Sequence, residues 1–426
     1  MTAGATVVNK SPLAPDAFPD LPAVAGVRLA TLESGVKYHG RDDLLLAVVD
    51  QGAAAAGVLT KSSTPGAPVV WCRERLQAGN APRALLVNAG NANTFTGANG
   101  ARHVYETCAA AAKQLNCSPE QVLAASTGVI GEPLPVKKII DAMPRLAKAL
   151  AANSDSADSA APADSAAWSR AAAAILTTDT FAKGATATAA IDGVKVTING
   201  IAKGSGMIEP NMATMLAFVF TDAAVEPPAL DACLRAAVAQ SFHCITVDGD
   251  TSTSDTVLLF ATGAAANQLA TGVALDDFQL ALNRVCADLA VQVVRDGEGA
   301  SKLITVQVRG GEDDAAAQRI AKCIANSPLV KTAIAGGDAN WGRVVMAAGK
   351  SGQRLDPARL RVAIGGVTVA AHGARVDDYN EAPLNQHLRG DEILIEVDAG
   401  VGDGRACVWT CDLTRGYIDI NADYRS

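Results

Sequence analysis

Thr214 lies where a polar, glycine-rich segment meets an apolar one, and its chemistry depends on the peptide bond before it. Residues 203–216 read Lys-Gly-Ser-Gly-Met-Ile-Glu-Pro-Asn-Met-Ala-Thr-Met-Leu. Cleavage of the Ala213–Thr214 bond would give Thr214 a free α-amine beside its hydroxyl, so one residue would carry both nucleophile and general base. An α-amine has a pKa of roughly 7.7–8.0, close enough to neutrality to accept a proton. The alternative is a threonine that merely starts a buried strand after a turn.

The residues before Thr214 are suited to self-cleavage. The Thr214 hydroxyl could attack the carbonyl carbon of Ala213, shift the acyl group from nitrogen to oxygen, and leave an ester that water opens. The small side chain of Ala213 leaves that carbonyl accessible. Gly204 and Gly206 permit loop conformations closed to other residues, and Pro210 stiffens the loop. An ordinary flexible loop is the alternative interpretation.

The segment 203–216 closely resembles the processing-site motif of the ornithine acetyltransferase family, also called glutamate N-acetyltransferases. Further segments are similar to motifs of that family and follow the same order along the chain: residues 88–93, 126–131, 177–180, 246–252, 295–299, 338–343 and 421–426. The resemblance therefore extends over most of the chain.

The resemblance implies a self-cleaving acetyltransferase of arginine biosynthesis. Such an enzyme moves the acetyl group of N2-acetyl-L-ornithine to L-glutamate through an O-acetyl-threonine intermediate, here on Thr214. Thr127 and Gly128 would form the oxyanion hole through a hydroxyl and a backbone N–H. The substrate-binding residues that the resemblance implies are Thr177, Lys203, Thr214, Glu298, Asn421 and Ser426.

The substrate's two charged ends require one fixed cation and one fixed anion. We expect Lys203 to face the α-carboxylate and Glu298 to face the amine, although the sequence does not decide this pairing. Asn421 and Ser426 would fold back into the site and offer neutral hydrogen bonds. For an arbitrary lysine in a loop, a solvated surface charge would be the usual interpretation.

The nucleophile carries its own base, so no metal ion and no cofactor is expected. The sequence does not decide whether acetyl-CoA also donates the acetyl group. The resemblance implies an α chain of residues 1–213, a β chain of residues 214–426, and a heterotetramer of two α and two β chains.

Two other functions use the same residues differently. An amidase or aminopeptidase with an N-terminal nucleophile would pass the acyl group to water, and a metabolite-binding protein would keep the loop uncut. Lys203 together with Glu298 favours an amino-acid acceptor.

The five histidines are dispersed along the chain, which disfavours a Ser-His-Asp or Cys-His enzyme. Residues 248–252, Asp-Gly-Asp-Thr-Ser, lack the remaining EF-hand spacing and are interpreted as a structural turn.

Composition excludes several classes of protein. The net charge of −8 and the pI near 5.2 argue against a nucleic-acid surface. No segment approaches the roughly 20 continuous apolar residues of a membrane span. Nine scattered cysteines without a C-x-x-C pair suggest reduced, mostly buried thiols rather than disulfides or zinc ligands. No secretory signal is recognised at the N-terminus, so we expect a cytoplasmic protein.

Apolar periodicity predicts alternating strands and helices. Predicted strands cover residues 44–49, 84–87, 194–198, 215–220, 303–308, 360–364 and 393–397. Predicted helices cover residues 101–115, 136–150, 229–241 and 275–295, with Pro144 expected to kink or end the second. Residues 153–165 are rich in Ser, Ala and Asp and are predicted to form a mobile surface insertion. The alternation favours a layered α/β fold, and the resemblance implies an α/β/β/α sandwich built from both halves of the chain.

Overall fold

The computed structural model describes residues 9–154, 163–209, 215–377 and 379–422. The strands are β1 Val27–Leu32, β2 Leu44–Val49, β3 Ala54–Leu59, β4 Ala84–Asn91, β5 Val122–Val129, β6 Lys183–Ile191, β7 Val194–Lys203, β8 Leu216–Thr221, β9 Thr256–Ala261, β10 Leu303–Gly311, β11 Arg361–Ile364, β12 Val367–Ala371, β13 Ala374–Arg375, β14 Glu392–Asp398 and β15 Gly404–Cys411. The helices are α1 Ala67–Gln77, α2 Ala98–Leu115, α3 Val136–Ser154, α4 Ala163–Ala174, α5 Pro227–Ala239, α6 Asp276–Arg295, α7 Asp314–Ala325, α8 Pro328–Ala335, α9 Trp341–Gly349, α10 Glu381–Arg389 and α11 Arg415–Ala422. Short 3₁₀ helices occupy Pro119–Gln121, Phe242–Cys244 and Gly272–Leu275.

Two sheets pack face to face between layers of helices. The first has the strand order β1-β2-β4-β5 and the second β3-β9-β8-β7-β6. Apolar side chains of both sheets, such as Leu45 and Phe218, share one core. Helices α1, α2 and α3 pack on the first sheet, and α5 and α6 pack on the second. This arrangement confirms the predicted α/β/β/α sandwich.

Strand β8 lies at the centre of the second sheet and is buried on both faces. Leu216, Phe218 and Phe220 point into the core between the sheets. Ala217 and Val219 point into the core beneath α5 and α6. Both faces of the strand are covered, so its sequence is continuously apolar rather than alternating. The segment that follows Thr214 is thus held rigidly in the middle of the molecule.

The second sheet combines strands from both halves of the chain. Strand β3 pairs antiparallel with β9 along its full length, and β7 pairs antiparallel with β8. Strands β8 and β9, which follow residues 210–214, therefore lie between β3 and β7, which precede those residues, in one hydrogen-bonded sheet. A cut in that segment would leave the two halves joined by backbone hydrogen bonds and by a common core.

A third sheet, with its own core, follows the sandwich. Its strand order is β13-β12-β11-β14-β10-β15, and its core includes Ile304, Val306, Ile320 and Ile395. Helices α7 and α9 pack in this region. The sequence predicted three of these strands but not that they form a separate sheet.

Several boundaries differ from the predicted ones. Helix α3 passes through Pro144 without ending and runs to Ser154. Strand β4 extends to Asn91, beyond the predicted end at residue 87. Most of the predicted insertion at residues 153–165 lies outside the described residues, and α4 begins at Ala163.

The nine cysteines are free thiols, and six of them are buried. Burial raises the pKa of Cys72 and of Cys286 to about 12, which keeps both thiols protonated and unreactive. The described ranges contain no group of three or more His, Cys, Asp or Glu side chains that could hold a metal ion. In the same ranges, no helix combines the length and apolar character needed to cross a membrane.

Candidate active site

A cavity of about 450 Å³ gathers most of the residues that the sequence singled out. Its lining residues are Ala92, Thr127, Gly128, Val129, Ile130, Thr177, Thr178, Lys203, Gly206, Met207, Asp248, Asp250, Thr251, Ser252, Thr253, Ser254, Glu298, Tyr417 and Asn421. Thr127, Gly128, Thr177, Lys203, Glu298 and Asn421, which are distant in sequence, therefore meet at one site. Ala213, Thr214 and Ser426 lie outside the described residues.

The sheet register brings the segment after Thr214 to this cavity. Lys203, the last residue of β7, pairs with Leu216, the first residue of β8. Leu216 in turn pairs with Thr256, the first residue of β9. The amide N–H of Met215 donates to Asp255 Oδ1 at 3.1 Å. Thr214 is therefore covalently attached to a fixed residue at the same sheet edge as Lys203.

The Lys203 ammonium is almost fully buried, with a relative exposure of 2%. Its Nζ donates to the Thr177 hydroxyl at 2.7 Å and lies 3.4 Å from Asp179 Oδ2. An ammonium has three donors. Among the described residues only these two groups engage the ammonium, which leaves one donor for a negatively charged group in the cavity.

A buried ion network fixes the segment that carries Thr177. Lys183 Nζ lies 2.8 Å from Asp179 Oδ1 and 2.6 Å from Asp296 Oδ2. Burial alone would raise the pKa of Asp179, but the charges of Lys183 and Lys203 outweigh it and hold that pKa well below its usual range. Asp179 also accepts from the amide of Gly204 at 2.5 Å. The same carboxylate therefore orders both Lys203 and the glycine-rich loop.

Glu298 supplies a buried acidic group on the cavity wall. Its Oε2 accepts from Asn421 Nδ2 at 2.7 Å, and its relative exposure is 7%. Burial raises the pKa of Glu298, and the hydrogen bond from Asn421 only partly offsets this effect. Gly206 permits the close approach, because a Cβ there would lie 2.3 Å from Glu298 Oε2. A positive charge beside this carboxyl group would stabilise its charged form.

Thr127 and Gly128 lie near the end of β5, where β4 and β5 pair in parallel. The Thr127 side chain is 1% exposed, and its hydroxyl has no hydrogen-bond partner within the part of the chain that the structure describes. A buried hydroxyl without a partner is costly unless a ligand or another group satisfies it. Gly128 has a φ of +132°, and a Cβ there would lie 2.2 Å from the carbonyl carbon of Gly90. The hydroxyl and the tightly packed backbone are therefore available to a developing oxyanion.

The structure adds residues that the sequence did not single out. Asp248 accepts from the amides of Met207 and Ile208 at 2.6 and 2.8 Å, so segment 248–252 fixes the glycine-rich loop. The Tyr417 hydroxyl, on α11, donates to Asp248 Oδ2 at 3.3 Å. Residues 248–252 were predicted only as a turn, yet Asp248, Asp250, Thr251 and Ser252 also line the cavity.

Comparison with known proteins identifies the family. The model of the ArgJ family matches residues 28–426. The arginine biosynthesis bifunctional protein ArgJ of Bradyrhizobium diazoefficiens is 54% identical over 422 residues, which cover 98% of this chain and 99% of that protein. A crystal structure of the ArgJ protein from Bacillus halodurans is 41% identical and covers 47% of this chain and 95% of that chain, with a TM-score of 0.46.

Another solved structure in the comparison is that of an ornithine acetyltransferase from Mycobacterium tuberculosis in complex with ornithine. It is 30% identical and covers 44% of this chain and 93% of that chain, with a TM-score of 0.36. The family assignment rests on the family model and on the full-length sequence identity. Since both extend over nearly the whole chain, the chain belongs to the ArgJ family.

Proposed function

We propose that this chain cleaves itself between Ala213 and Thr214 and then transfers the acetyl group of N2-acetyl-L-ornithine to L-glutamate. The observation that carries the proposal is the cavity in which a buried cation, a buried carboxyl group and a hydroxyl without a partner among the described residues meet beside the start of β8. Membership of the ArgJ family supports it, since curated relatives are named for arginine biosynthesis.

Maturation requires no group beyond the chain and water. The Thr214 hydroxyl oxygen attacks the Ala213 carbonyl carbon, the peptide C–N bond breaks, and the hydroxyl proton moves to the Thr214 nitrogen. Water then hydrolyses the ester and leaves a carboxylate on Ala213 and a free hydroxyl on Thr214. The products are an α chain of residues 1–213 and a β chain of residues 214–426. Pairing of β7 with β8 and of β3 with β9 keeps them together.

The first half of the transfer forms an acetyl-enzyme. The Thr214 oxygen attacks the acetyl carbon of N2-acetylornithine while the α-amine of Thr214 accepts the hydroxyl proton. Thr127 and Gly128 stabilise the oxyanion. The acetamide C–N bond then breaks, and the protonated α-amine returns its proton to the nitrogen of the departing ornithine.

The second half returns the enzyme to its starting state. The amine of glutamate attacks the acetyl ester, an amide bond forms, and the Thr214 oxygen leaves with a proton delivered through the α-amine. Lys203, held by Thr177, binds the α-carboxylate of the amino acid. Glu298, held by Asn421, pairs with the ammonium form of its amine and accepts a proton from it, which leaves the free amine that attacks. These two charges favour an amino acid over water as acceptor.

Three finer points belong to the same proposal. Acetyl-CoA is a second acetyl donor, which agrees with the word "bifunctional" in the names of curated relatives. Two α and two β chains assemble into a heterotetramer. The enzyme works in the cytoplasm without metal or cofactor.

Denaturing electrophoresis and intact-mass measurement test the maturation. We expect two chains, the second beginning Thr214-Met215-Leu216, and a single uncut, inactive chain for Thr214→Ala. A wild-type chain that stays uncut and fully active would overturn the mechanism.

An acid-quenched reaction with N2-acetylornithine alone tests the transfer. One acetyl group should appear on the 214–426 chain and disappear when glutamate is added, with N-acetylglutamate as product. Release of acetate at the same rate with and without glutamate would instead identify an amidase. Thiol release from acetyl-CoA in the presence of glutamate tests the second donor.

A further inference from the structure

Asp255 is a buried acidic residue that the mechanism above does not use. Its side chain is fully buried, with a relative exposure of 0%. Oδ1 accepts a hydrogen bond from the amide of Met215 at 3.1 Å, and Met215 is the residue that follows Thr214. The carbonyl of Met215 accepts from the amide of Thr256, also at 3.1 Å. The chain is therefore held on both sides of the Met215 Cα by two consecutive residues, Asp255 and Thr256.

The second oxygen of this carboxyl group is available for a further interaction. Oδ2 is buried and has no hydrogen-bond partner among the described residues. The Thr60 hydroxyl donates to the carbonyl of Ser252 at 2.8 Å, and it lies close enough to Asp255 to lower the pKa of that carboxyl group in part. An unpaired buried carboxylate is strongly disfavoured, and a neutral carboxyl group is the form that such a site stabilises.

The electrostatics agree with a neutral group. Burial raises the pKa of Asp255 well above its usual range, and the Met215 amide, Thr60 and the charge of Lys203 offset only part of this effect. A neutral carboxyl group can accept from Met215 through one oxygen and donate through the other.

We propose that Asp255 is a positioning residue for the nucleophile: its neutral carboxyl group fixes Met215, and through the peptide bond it fixes Thr214 relative to Lys203 at the cavity edge. The inference rests on the proposed role of Thr214. Lys203 and Thr256 occupy the register positions on either side of Leu216, so a displacement of Met215 would shift the point at which Thr214 is attached relative to Lys203. Misplacement of a reacting group by about 1 Å can lower a rate by roughly 10²-fold.

Three substitutions of Asp255 in the full-length chain test the proposal. Asp255→Asn keeps an oxygen that accepts from Met215 and a second atom that donates, so its kcat should stay within about threefold of wild type. Asp255→Ala and Asp255→Leu remove the acceptor and should lower kcat by roughly 10²-fold, with KM for acetylornithine changed much less. Rates are normalised to the fraction of cleaved chain measured by intact mass.

Asp222 provides a matched control at the opposite end of β8. It is 8% exposed, and its Oδ1 accepts from the amide of Thr197 at 2.7 Å. Asp222→Ala should lower thermal stability and leave kcat unchanged. An equal loss of kcat in Asp222→Ala and Asp255→Ala would show that the loss comes from general destabilisation of the fold, and it would overturn the proposal.

Two further outcomes decide against a neutral positioning group. A kcat of Asp255→Asn more than about tenfold below wild type would show that the negative charge is required. A kcat of Asp255→Ala or Asp255→Leu within about threefold of wild type would show that Met215 needs no such hydrogen bond.

Thr214→Ala, assayed in parallel, separates a failure of the proposed function from a failure of the role of Asp255. If the Thr214→Ala chain remains cleaved and active, the proposed function itself fails. If it is inactive while the Asp255 variants behave like wild type, only the role of Asp255 fails.

Discussion

The Lys203 ammonium donates a hydrogen bond to the Thr177 hydroxyl, with 2.7 Å between Nζ and Oγ1. These residues lie on separate elements, and Asp179 connects them because it contacts both Lys203 Nζ and the amide of Thr177. The hydroxyl can still donate its own proton into the cavity. The pair thus offers a cation and a neutral donor side by side, which suits a carboxylate with two oxygens.

Replacing Thr177 should weaken substrate binding without stopping maturation. Thr177→Val keeps the shape but removes a hydrogen bond to a charged group, which is worth about 1.5–3 kcal/mol. KM for acetylornithine should rise by roughly tenfold or more, and steady-state kinetics on cleaved enzyme measure it. Thr186→Val is the control, because the Thr186 hydroxyl on β6 donates to Asn199 Oδ1 on β7 at 2.7 Å, outside the cavity. Equal KM values for both variants would show that Thr177 does not contribute to substrate binding.

The hydroxyl of Thr127 should matter in the transition state rather than in substrate binding. Thr127→Val should lower kcat by roughly 10²–10³-fold with a modest change in KM, because the donor is needed when charge develops on the acetyl oxygen. Thr127→Ser keeps the hydroxyl and should recover most of the rate. Ser126→Ala is the neighbouring control, because the Ser126 hydroxyl already has a partner: its Oγ donates to Asn88 Oδ1 at 2.6 Å. An unchanged kcat with a raised KM in Thr127→Val would make Thr127 a ground-state binding residue.

The sequence predicted elements best where the hydrophobic pattern was unambiguous. Strand β2 was predicted with its observed bounds because all six of its residues are apolar and buried. Strand β9, which is just as buried, was not predicted. Polar and glycine-rich segments such as the end of β4 give no periodic signal, and their pairing is set by the neighbouring strand.

The site residues could be named from motifs, but their contacts could not. Asp179 and Lys183 are only four positions apart, yet Asp296, the second carboxylate that binds Lys183, is 113 positions away from it. No local pattern predicts such a pairing, since it depends on how β6 and the end of α6 meet. The same reason explains why Asp255 and Tyr417 were missed: each acts through a contact with a distant backbone or carboxylate group.

A buried histidine should make the protein less stable in acid. Burial, followed by the charges of Lys322 and Lys61, lowers the pKa of His243 from 6.5 to about 4. Its Nε2 has no hydrogen-bond partner in the described ranges. The unfolded chain binds a proton at this residue below about pH 6.5, whereas the folded chain binds one only near pH 4. The free energy of unfolding should therefore fall as the pH is lowered through this window.

Denaturant unfolding at several pH values measures this effect. His243→Gln should flatten the loss of stability between about pH 6.5 and about pH 4, because it removes the group that titrates there. His39→Gln is the control, since the His39 side chain is 82% exposed and should not change the slope. A wild-type slope in the His243→Gln variant would assign the acid sensitivity to other groups.

The backbone at Gly128 should tolerate no side chain, because a Cβ there would lie 2.2 Å from the carbonyl carbon of Gly90. Gly131 provides a matched control three residues further along: its φ is also positive, at +85°, but a Cβ would meet nothing within 4 Å. Gly131→Ala should therefore carry only the conformational penalty, about 1 kcal/mol. Gly128→Ala adds a backbone clash that β4 and β5 must separate to relieve. That movement displaces the Gly128 amide, which we propose stabilises the oxyanion, so Gly128→Ala should lose both thermal stability and kcat, whereas Gly131→Ala should keep its kcat. Thermal melts and steady-state rates on cleaved protein measure both effects, and equal kcat values for the two variants would exclude Gly128 from the oxyanion hole.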